Sequence, residues 1–306
     1  MKNSRQFHIK KNLWLRAQIF QAVRTFFIEK DYLDVETPCR IPAPAPEAHI
    51  DAEISGGWFL HTSPEICMKR LMAAGYPRIF QICRCFRQKE RGSKHLPEMT
   101  LLEWYTADHN YINMMEQCEA LIRFVAGRAG FKNFLVYQGS RIDLTPPWRR
   151  TSVREVFEKY SSVSMETAML QDRFDRVMAF EIEPNLGYEK PVFLYDYPAS
   201  AASLARLRPE DRSVAERFEL YINGMELCNA FSELTDPVEQ RKRFVREQKT
   251  RIHSGLQSYP VPEKFLESLQ YMPEASGCAL GMDRLVMLFA DTTRIDDVVA
   301  FTPEEL

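Results

Sequence analysis

The chain has 306 residues, 45% of them hydrophobic and 27% charged, which is enough apolar material for a folded core. A net charge of −2 at pH 7 excludes a globally basic surface for holding nucleic acid. The seven cysteines lack paired CxxC spacing, which predicts reduced thiols rather than a structural zinc site or a disulfide framework. No stretch approaches the roughly 18 apolar residues of a membrane span, so we expect a cytoplasmic protein.

The first predicted elements are an amphipathic helix and a short strand. Residues 13–30 place apolar side chains at helical spacing, and residues 32–37 have the pattern of a strand that Pro38 ends. Alternating prolines at 42–46 then force an extended loop. This order of elements is common and by itself indicates no function.

A second helix is predicted after a brief strand at 58–61. Thr62 or Ser63 can cap it, Pro64 suits its first turn, and Glu65 compensates the helix dipole. Stabilisation of the helix is therefore a sufficient explanation of Glu65.

Residues 79–105 predict a long-looped antiparallel hairpin. Two apolar runs with strand periodicity flank a charged loop, with Arg87 where the first strand ends and Glu103 on the returning strand. Such a hairpin can hold a phosphate with its guanidinium groups and an ammonium with its carboxylates. Charged residues of this kind are also common on exposed hairpins.

The middle of the chain carries fewer signals. Helices are predicted at 113–130, 153–160 and 166–180, and a buried strand at 192–195. Residues 131–190 have the least informative pattern, and we assign them to an insertion within the same domain.

Asn223-Gly224 between apolar runs is the strongest hairpin signal in the chain. With these two residues as the turn, Glu219 and Glu226 become diagonal neighbours on one face. Two adjacent carboxylates repel unless a cation lies between them, and Mg²⁺ shared with phosphate oxygens is the natural candidate.

The returning strand continues with Asn229, Phe231 and Glu233. By strand alternation these three residues face away from Glu226. A bulge within residues 228–230 would bring all four to one pocket.

The last informative segment covers residues 276–290. Gly277 and Gly281 precede Asp283 and Arg284, which open an apolar helix. Glycine lets a backbone approach a planar ligand, and an arginine at a helix start can stack on adenine while reaching phosphate. A glycine-arginine turn is otherwise often purely structural.

Taken together, these segments resemble the class II aminoacyl-tRNA synthetases of the lysyl branch. Residues 13–38 are similar to motif 1, FRQKE with HLPEMTLLEWY in residues 79–105 to motif 2, and GCALGMDR within residues 276–290 to motif 3. The resemblance implies a single α+β catalytic domain over residues 1–306, with a mostly antiparallel sheet flanked by helices. It also implies a homodimer formed through motif 1.

The resemblance further implies roles for single residues. Arg87 and Arg284 would be catalytic and would bind ATP, with His95 near the outer phosphates. Lys89 stands where motif 2 has a glutamate, and Glu90 is expected to replace that residue in ATP binding. The implied substrate-binding residues are Glu65, Glu103, Tyr105, Asn229, Glu233 and Ala279, and the implied metal ligands are Glu219 and Glu226.

Within this branch the chain is similar to truncated lysyl-synthetase paralogues that attach β-lysine to a lysine side chain of translation elongation factor P. RFEL, NAFSELTD and GCALGMDR carry that similarity. It implies amino-acid activation with ATP and Mg²⁺, no anticodon-binding domain and no stable tRNA binding. Two alternatives remain, namely transfer of lysine to tRNA or a small acceptor, and a regulatory subunit without catalysis.

Overall fold

A computed structural model describes residues 4–306 and contains thirteen strands and ten α-helices in that range. The strands are β1 (Leu33–Asp34), β2 (Arg40–Ile41), β3 (Ile54–Ser55), β4 (Trp58–Leu60), β5 (Arg78–Phe86), β6 (Glu98–Ala107), β7 (Phe134–Tyr137), β8 (Ser140–Asp143), β9 (Arg149–Ser152), β10 (Val192–Pro198), β11 (Val214–Ile222), β12 (Met225–Ser232) and β13 (Ala275–Gly281). The helices are α1 (Arg5–His8), α2 (Lys10–Ile28), α3 (Glu65–Ala73), α4 (Tyr111–Arg128), α5 (Val153–Tyr160), α6 (Met165–Leu170), α7 (Phe174–Val177), α8 (Pro237–His253), α9 (Glu263–Leu269) and α10 (Met282–Phe289).

Eight strands form the central sheet in the order β1-β5-β6-β13-β12-β11-β10-β9. The five pairings between β5 and β10 are antiparallel, whereas β1 and β9 pair in parallel at the two edges. Two small sheets, β2-β4-β3 and β7-β8, lie outside it. This mostly antiparallel sheet with flanking helices confirms the predicted fold class.

The largest hydrophobic core covers one face of the central sheet. Helices α2, α4 and α10 contribute buried residues to it, together with alternate residues of β5, β6, β12 and β13 such as Phe80, Leu102, Ala230 and Leu280. Because successive strand residues point to opposite faces, the intervening residues face the other side. That second face carries the polar residues that the sequence singled out.

Most predicted elements are present, with two differences in extent. The strand predicted at 32–37 is reduced to β1, which pairs only with β5 at the edge of the sheet. The helix predicted at 166–180 is divided into α6, α7 and a π-helical turn, because Asp172 adopts a left-handed φ of 52°. Within residues 4–306 we find no helix that combines the length and apolar character needed to cross a bilayer.

Candidate active site

One row of side chains crosses the four central strands. The sheet register pairs Glu219 of β11 with Asn229 of β12, Asn229 with Ala279 of β13, and Ala279 with Glu103 of β6. Directly paired residues point to the same face of a sheet. Four of the residues predicted from sequence therefore lie side by side on the face opposite the main core.

A β-bulge adds Glu226 to this face. Tyr221 pairs with Glu226 and Leu220 with Cys228, so Leu227 is an extra residue in β12. Leu227 and Cys228 are both buried in the main core, which restores Glu226 to the side of Asn229. The bulge predicted for residues 228–230 is present and begins one residue earlier.

This face of the sheet lines a cleft that consists of two cavities. The wider half of the cleft has a volume of about 320 Å³. It is the half that the sequence assigns to ATP, and its predicted lining residues are Arg87, Glu90, His95, Glu219, Glu226, Asn229, Ala279 and Arg284. Lys89 has a left-handed φ of 65°, is mostly exposed, and lies 3.6 Å from Asp51. Glu90, rather than Lys89, thus borders the cleft, and its carboxylate is 3.9 Å from the Arg87 guanidinium.

Arg284 reaches across the cleft from the first turn of α10. Its guanidinium donates to the backbone oxygen of Glu226 at 2.9 Å and to the Glu226 carboxylate at 3.1 Å, and it lies 2.5 Å from His95 Nε2. Burial and the charge of Arg284 lower the pKa of His95. A neutral imidazole beside this arginine leaves the arginine as the cation that faces an anionic ligand.

The start of α10 is held by an ion pair to the first long helix. Asp283 is buried and accepts from Arg16 of α2 at 2.6 Å and from the backbone N–H of Thr100 at 2.8 Å. The segments predicted as motifs 1, 2 and 3 therefore meet at this carboxylate, which positions Arg284.

The Glu219 carboxylate accepts three hydrogen bonds from neighbouring side chains, which leaves it less available to a metal ion than an unbonded carboxylate. Its Oε2 accepts from Tyr197 and Tyr221, each at 2.6 Å, and its Oε1 accepts from Arg217 at 2.6 Å. Burial raises the pKa of Glu219, Arg217 opposes that effect, and the charge of Glu226 adds to it. Since a carboxylate has about four acceptor positions, Glu219 retains one for a cation.

Glu226 is better placed to bind a cation. Its side chain is 36% exposed and borders the wider half of the cleft. Mg²⁺ commonly takes one or two carboxylates and completes its shell with phosphate oxygens and water. The carboxylates of Glu219 and Glu226 therefore fit such an ion, and their role as its ligands stays a prediction.

A smaller cavity of about 80 Å³ continues from the wider half. Glu47, Arg87, Asn229 and Ala279 border both cavities. The other residues around the smaller cavity are Ser63, Glu65, Glu103, Tyr105, Ser203, Leu204, Phe231, Gly277 and Cys278. Five of the six predicted substrate-binding residues thus surround a pocket that opens onto the predicted ATP site, and Glu233 is not among the residues that line it.

Lys69 changes the charge of this pocket and was missed by the sequence analysis. Its buried ammonium pairs with Glu65 and lies 2.5 Å from Glu233. Burial acts against this charge, but Glu233 and Glu65 raise the pKa of Lys69 above its usual value. Glu65 and Glu233 are therefore not free anions, because one lysine bridges them.

The four-residue spacing of Glu65 and Lys69 on a helix was the available signal for this contact. With all groups ionised, Glu65, Glu103 and Glu233 against Lys69 leave two net negative charges.

Glu103 lies at the base of the smaller cavity with two donors. Ser63 Oγ donates to it at 2.6 Å and the Tyr105 hydroxyl at 2.9 Å. Burial and then the charge of Glu65 raise the pKa of Glu103 to about 8. Burial, with a further contribution from Glu65, raises the pKa of Glu233 to about 8 as well.

Glu47 also enters the cleft without any signal in the sequence. Burial raises its pKa to about 7, and the charge of Arg87 opposes that shift. Its loop is anchored by Arg251 of α8, which is fully buried and donates to the backbone oxygens of Glu47 and Ile50, each at 2.8 Å. A loop held by a residue 204 positions away has no local pattern that could have predicted it.

Comparison with known proteins identifies the family of the chain. The chain matches the family of class II tRNA synthetases (D, K and N) over residues 1–305. The chain belongs to this family. The elongation factor P–(R)-β-lysine ligase of Edwardsiella ictaluri (strain 93-146) is 39% identical, covering 95% of this chain and 94% of that protein. The ligase of the same name from Enterobacter sp. (strain 638) is also 39% identical with the same coverage.

Membership of the class II synthetases confirms the family and fold inferred from the three motifs. It identifies the chain as an ATP-dependent ligase. The roles of the single residues around the cleft are not tested by these similarities and stay predictions.

Proposed function

We propose that this protein activates (R)-β-lysine with ATP and transfers it to a lysine side chain of translation elongation factor P. One observation carries the proposal: an arginine-flanked cleft and a small acidic pocket join at Asn229 and Ala279. Two relatives that match nearly the whole chain bear the name of this ligase. Activation and transfer would then occur where the two cavities meet.

In the first step the amino-acid carboxylate attacks the α-phosphorus of ATP. The bond between this phosphorus and the oxygen that bridges to the β-phosphate breaks, and pyrophosphate leaves with the electron pair of that bond. Arg87 borders both cavities, and among the described residues its buried Nε has no hydrogen-bond partner. We assign this guanidinium to the α-phosphate and Arg284 to the nucleotide side. Catalysis rests on positioning and charge stabilisation rather than on proton transfer.

We assign Glu226, with Glu219, to a Mg²⁺ ion bound together with the phosphates. When bound, such an ion neutralises charge on the nucleotide. Arg284 pairs with Glu226 in the ligand-free protein and would turn to the nucleotide as the ion takes its place.

In the second step the lysine amine of the acceptor attacks the adenylate carbonyl, forming an amide and releasing AMP and a proton. The small pocket favours a diamino acid because, with its carboxyl groups ionised, its two net negative charges match two ammonium groups. We assign the distal ammonium to Glu103, Tyr105 and Glu233, and the amine near the carboxylate to Glu65.

The competing functions are transfer to tRNA and a regulatory subunit without catalysis. A net charge of −2 provides little of the cationic surface on which tRNA binding usually depends. A regulatory subunit has no need for both arginines and both carboxylates in one cleft. These features favour the protein ligase.

Pyrophosphate exchange tests the activation step. We expect (R)-β-lysine-dependent exchange of pyrophosphate into ATP, and loss of that exchange in Arg284→Ala. Arg294→Ala is a matched control, because Arg294 is mostly exposed and pairs with Asp296 outside the cleft. Unchanged exchange in a folded Arg284→Ala protein would exclude the assigned role of this arginine.

Competition between acceptors tests the transfer step. The enzyme is incubated with ATP, (R)-β-lysine, elongation factor P and tRNA together, and both acceptors are examined by mass spectrometry. We expect modification of elongation factor P alone. Comparable labelling of tRNA would contradict the proposed acceptor.

A further inference from the structure

The transfer step requires a proton acceptor that the roles assigned above do not include. A lysine side chain of an acceptor protein is an ammonium ion at neutral pH, because its ordinary pKa is near 10.4. An ammonium nitrogen has no free electron pair and cannot attack a carbonyl carbon. A base beside the reacting carbon must therefore remove one proton first.

The junction of the two cavities contains one side chain that can act as this base. Four residues border both cavities, namely Glu47, Arg87, Asn229 and Ala279. The arginine stays protonated, and neither the asparagine amide nor the alanine methyl group takes up a proton. Of these four, Glu47 is therefore the one that can accept a proton.

The Glu47 carboxylate has no other bonding partner among residues 4–306. It forms no hydrogen bond or ion pair there, whereas Glu103 accepts from two hydroxyl groups. The backbone of Glu47 is fixed, since its N–H donates to the Ala45 oxygen at 2.9 Å and its oxygen accepts from Arg251 at 2.8 Å. An unbonded carboxylate on an anchored backbone can bind an incoming ammonium without first losing a partner.

The charges around Glu47 leave it a stronger base than an ordinary glutamate. Burial raises its pKa to about 7, and the charge of Arg87 opposes that shift. Glu65 of α3 and Glu247 of α8 add to the shift, and Arg217 of β11 opposes it. A glutamate with the usual pKa near 4.3 is roughly a millionfold weaker base than a lysine amine. A pKa of about 7 reduces that difference to roughly a few thousandfold.

We propose that Glu47 is the general base of the transfer step, a role that rests on the proposed function. Its carboxylate takes one proton from the acceptor ammonium where the two cavities meet. The freed electron pair of the nitrogen forms the C–N bond, the C–O bond to the phosphate breaks, and AMP leaves with the electron pair of that bond. A second proton passes from the nitrogen to water as the amide forms.

The loop that carries Glu47 extends from the junction to the molecular surface. Glu47 itself is half-buried, and His49 two residues later is exposed. An acceptor lysine that enters beside this loop meets the carboxylate at the junction. The position of Glu47 thus suits an acceptor that is itself a protein.

Single-turnover transfer tests this role separately from activation. The enzyme is loaded with ATP and (R)-β-lysine in the presence of inorganic pyrophosphatase and mixed with elongation factor P, and the product is followed by mass spectrometry. We expect transfer at least about 100-fold slower in Glu47→Gln, since a positioned general base typically contributes about 10²- to 10⁴-fold. Pyrophosphate exchange should fall far less, because activation needs no base.

The outcomes of this experiment are distinct. Equal transfer rates in the two proteins, or an equal loss of exchange and transfer in Glu47→Gln, would overturn the role of Glu47 alone. No modification of elongation factor P by the unchanged protein would overturn the proposed function and this role with it.

Hydroxylamine as acceptor separates proton transfer from positioning. It is mostly unprotonated at neutral pH and attacks the adenylate without a base. We expect the unchanged protein and Glu47→Gln to form the hydroxamate at similar rates. A loss as large as that seen with elongation factor P would show that the substitution displaces the adenylate, and would overturn the proposal.

The pH dependence of single-turnover transfer carries the signature of the base. For the unchanged protein the rate should rise with pH and level off above about 7, because the ionised carboxylate is the active form. Glu47→Gln should instead keep rising toward the pKa of the acceptor amine. Identical profiles for the two proteins would contradict the proposal.

Two further variants complete the test. Glu47→Asp keeps a carboxylate and should restore part of the transfer rate that Glu47→Gln loses. His49→Gln changes an exposed side chain of the same loop that lines neither cavity, and it should transfer at the rate of the unchanged protein. A loss in His49→Gln as large as in Glu47→Gln would assign the effect to the loop as a whole and overturn the proposal.

Discussion

Gly277 and Ala279 both border the smaller cavity, and the two positions differ in the space that they leave for a side chain. A Cβ atom at residue 277 would lie 2.3 Å from Tyr105 Cε1 and 2.4 Å from Glu233 Oε1, distances too short for any side chain. Ala279, which borders both halves of the cleft, already carries a methyl group. Close packing therefore requires glycine at position 277, whereas position 279 accommodates a side chain at the border of both cavities.

We predict that Ala279→Gly shifts the choice between lysine isomers toward α-lysine. Removing the methyl group vacates space beside the substrate backbone, and a change of this size typically alters discrimination by about 1–3 kcal/mol, or roughly 10- to 200-fold. The measurement is the ratio of kcat/KM values for α-lysine and β-lysine in pyrophosphate exchange. An unchanged ratio would show that this position does not set the choice.

The buried Glu103 predicts a pH dependence of amino-acid binding. Burial and the charge of Glu65 raise the pKa of Glu103 to about 8, so this carboxyl holds a proton at neutral pH in the free protein, whereas Glu233 is paired with the Lys69 ammonium. A substrate ammonium requires the ionised form, and its own pKa is near 10. Affinity for the amino acid should therefore rise with pH up to about 8, by as much as about tenfold per unit for each proton released.

Calorimetry in buffers of different ionisation enthalpy counts these protons directly. Release should be largest near pH 7 and should decrease in Glu103→Gln. Binding with no proton release at pH 7 would contradict the raised pKa of Glu103.

At the scale of elements, the loop that carries Glu47 depends on one side chain of α8. Besides the two backbone oxygens, the Arg251 guanidinium donates to Asp51 at 2.7 Å and to the Tyr259 hydroxyl at 2.9 Å. The loop has no regular secondary structure from residue 42 to 53. Its position beside the cleft therefore follows from this buried cation.

We predict that Arg251→Ala destabilises the protein by about 3–5 kcal/mol, as expected when one partner of a buried ion pair is removed. Urea denaturation should give a lower midpoint with little change in slope. Arg246→Ala is the matched control, since Arg246 lies on the same helix and is 56% exposed. Equal midpoints for the two variants would contradict the anchoring role.

At the scale of the whole molecule, the segment from α2 to β1 leaves large apolar residues uncovered. Trp14 and Ile28 of α2 and Leu33 of β1 are 66%, 59% and 49% exposed. They belong to the segment predicted as motif 1, and exposed apolar patches often mark protein interfaces. The homodimer stays a prediction, as does the assignment of residues 1–306 to one catalytic domain.

Light scattering coupled to size-exclusion chromatography tests the dimer. We expect a dimer for the unchanged protein and a shift toward monomer in Trp14→Arg. Tyr271→Arg, which changes a 70% exposed aromatic residue elsewhere, should remain dimeric. A monomer at all concentrations of the unchanged protein would exclude the predicted interface.

Local patterns in the sequence determined the elements and the family. The Asn223-Gly224 turn, the helices and the three motifs follow from spacing and turn chemistry, which act between near neighbours. The resemblance to the lysyl branch required the bulge in β12, because strand alternation places Glu226 and Asn229 on opposite faces and only an extra residue brings them to one face.

Only the tertiary structure decided which groups share a pocket. Lys69 of α3 reaches Glu233, which follows β12, and Glu47 enters on an irregular loop. Each contact joins residues of different elements, and their distance depends on sheet register and loop anchoring rather than on spacing along the chain. Periodicity predicts which face a side chain takes, whereas folding alone determines what lies opposite it.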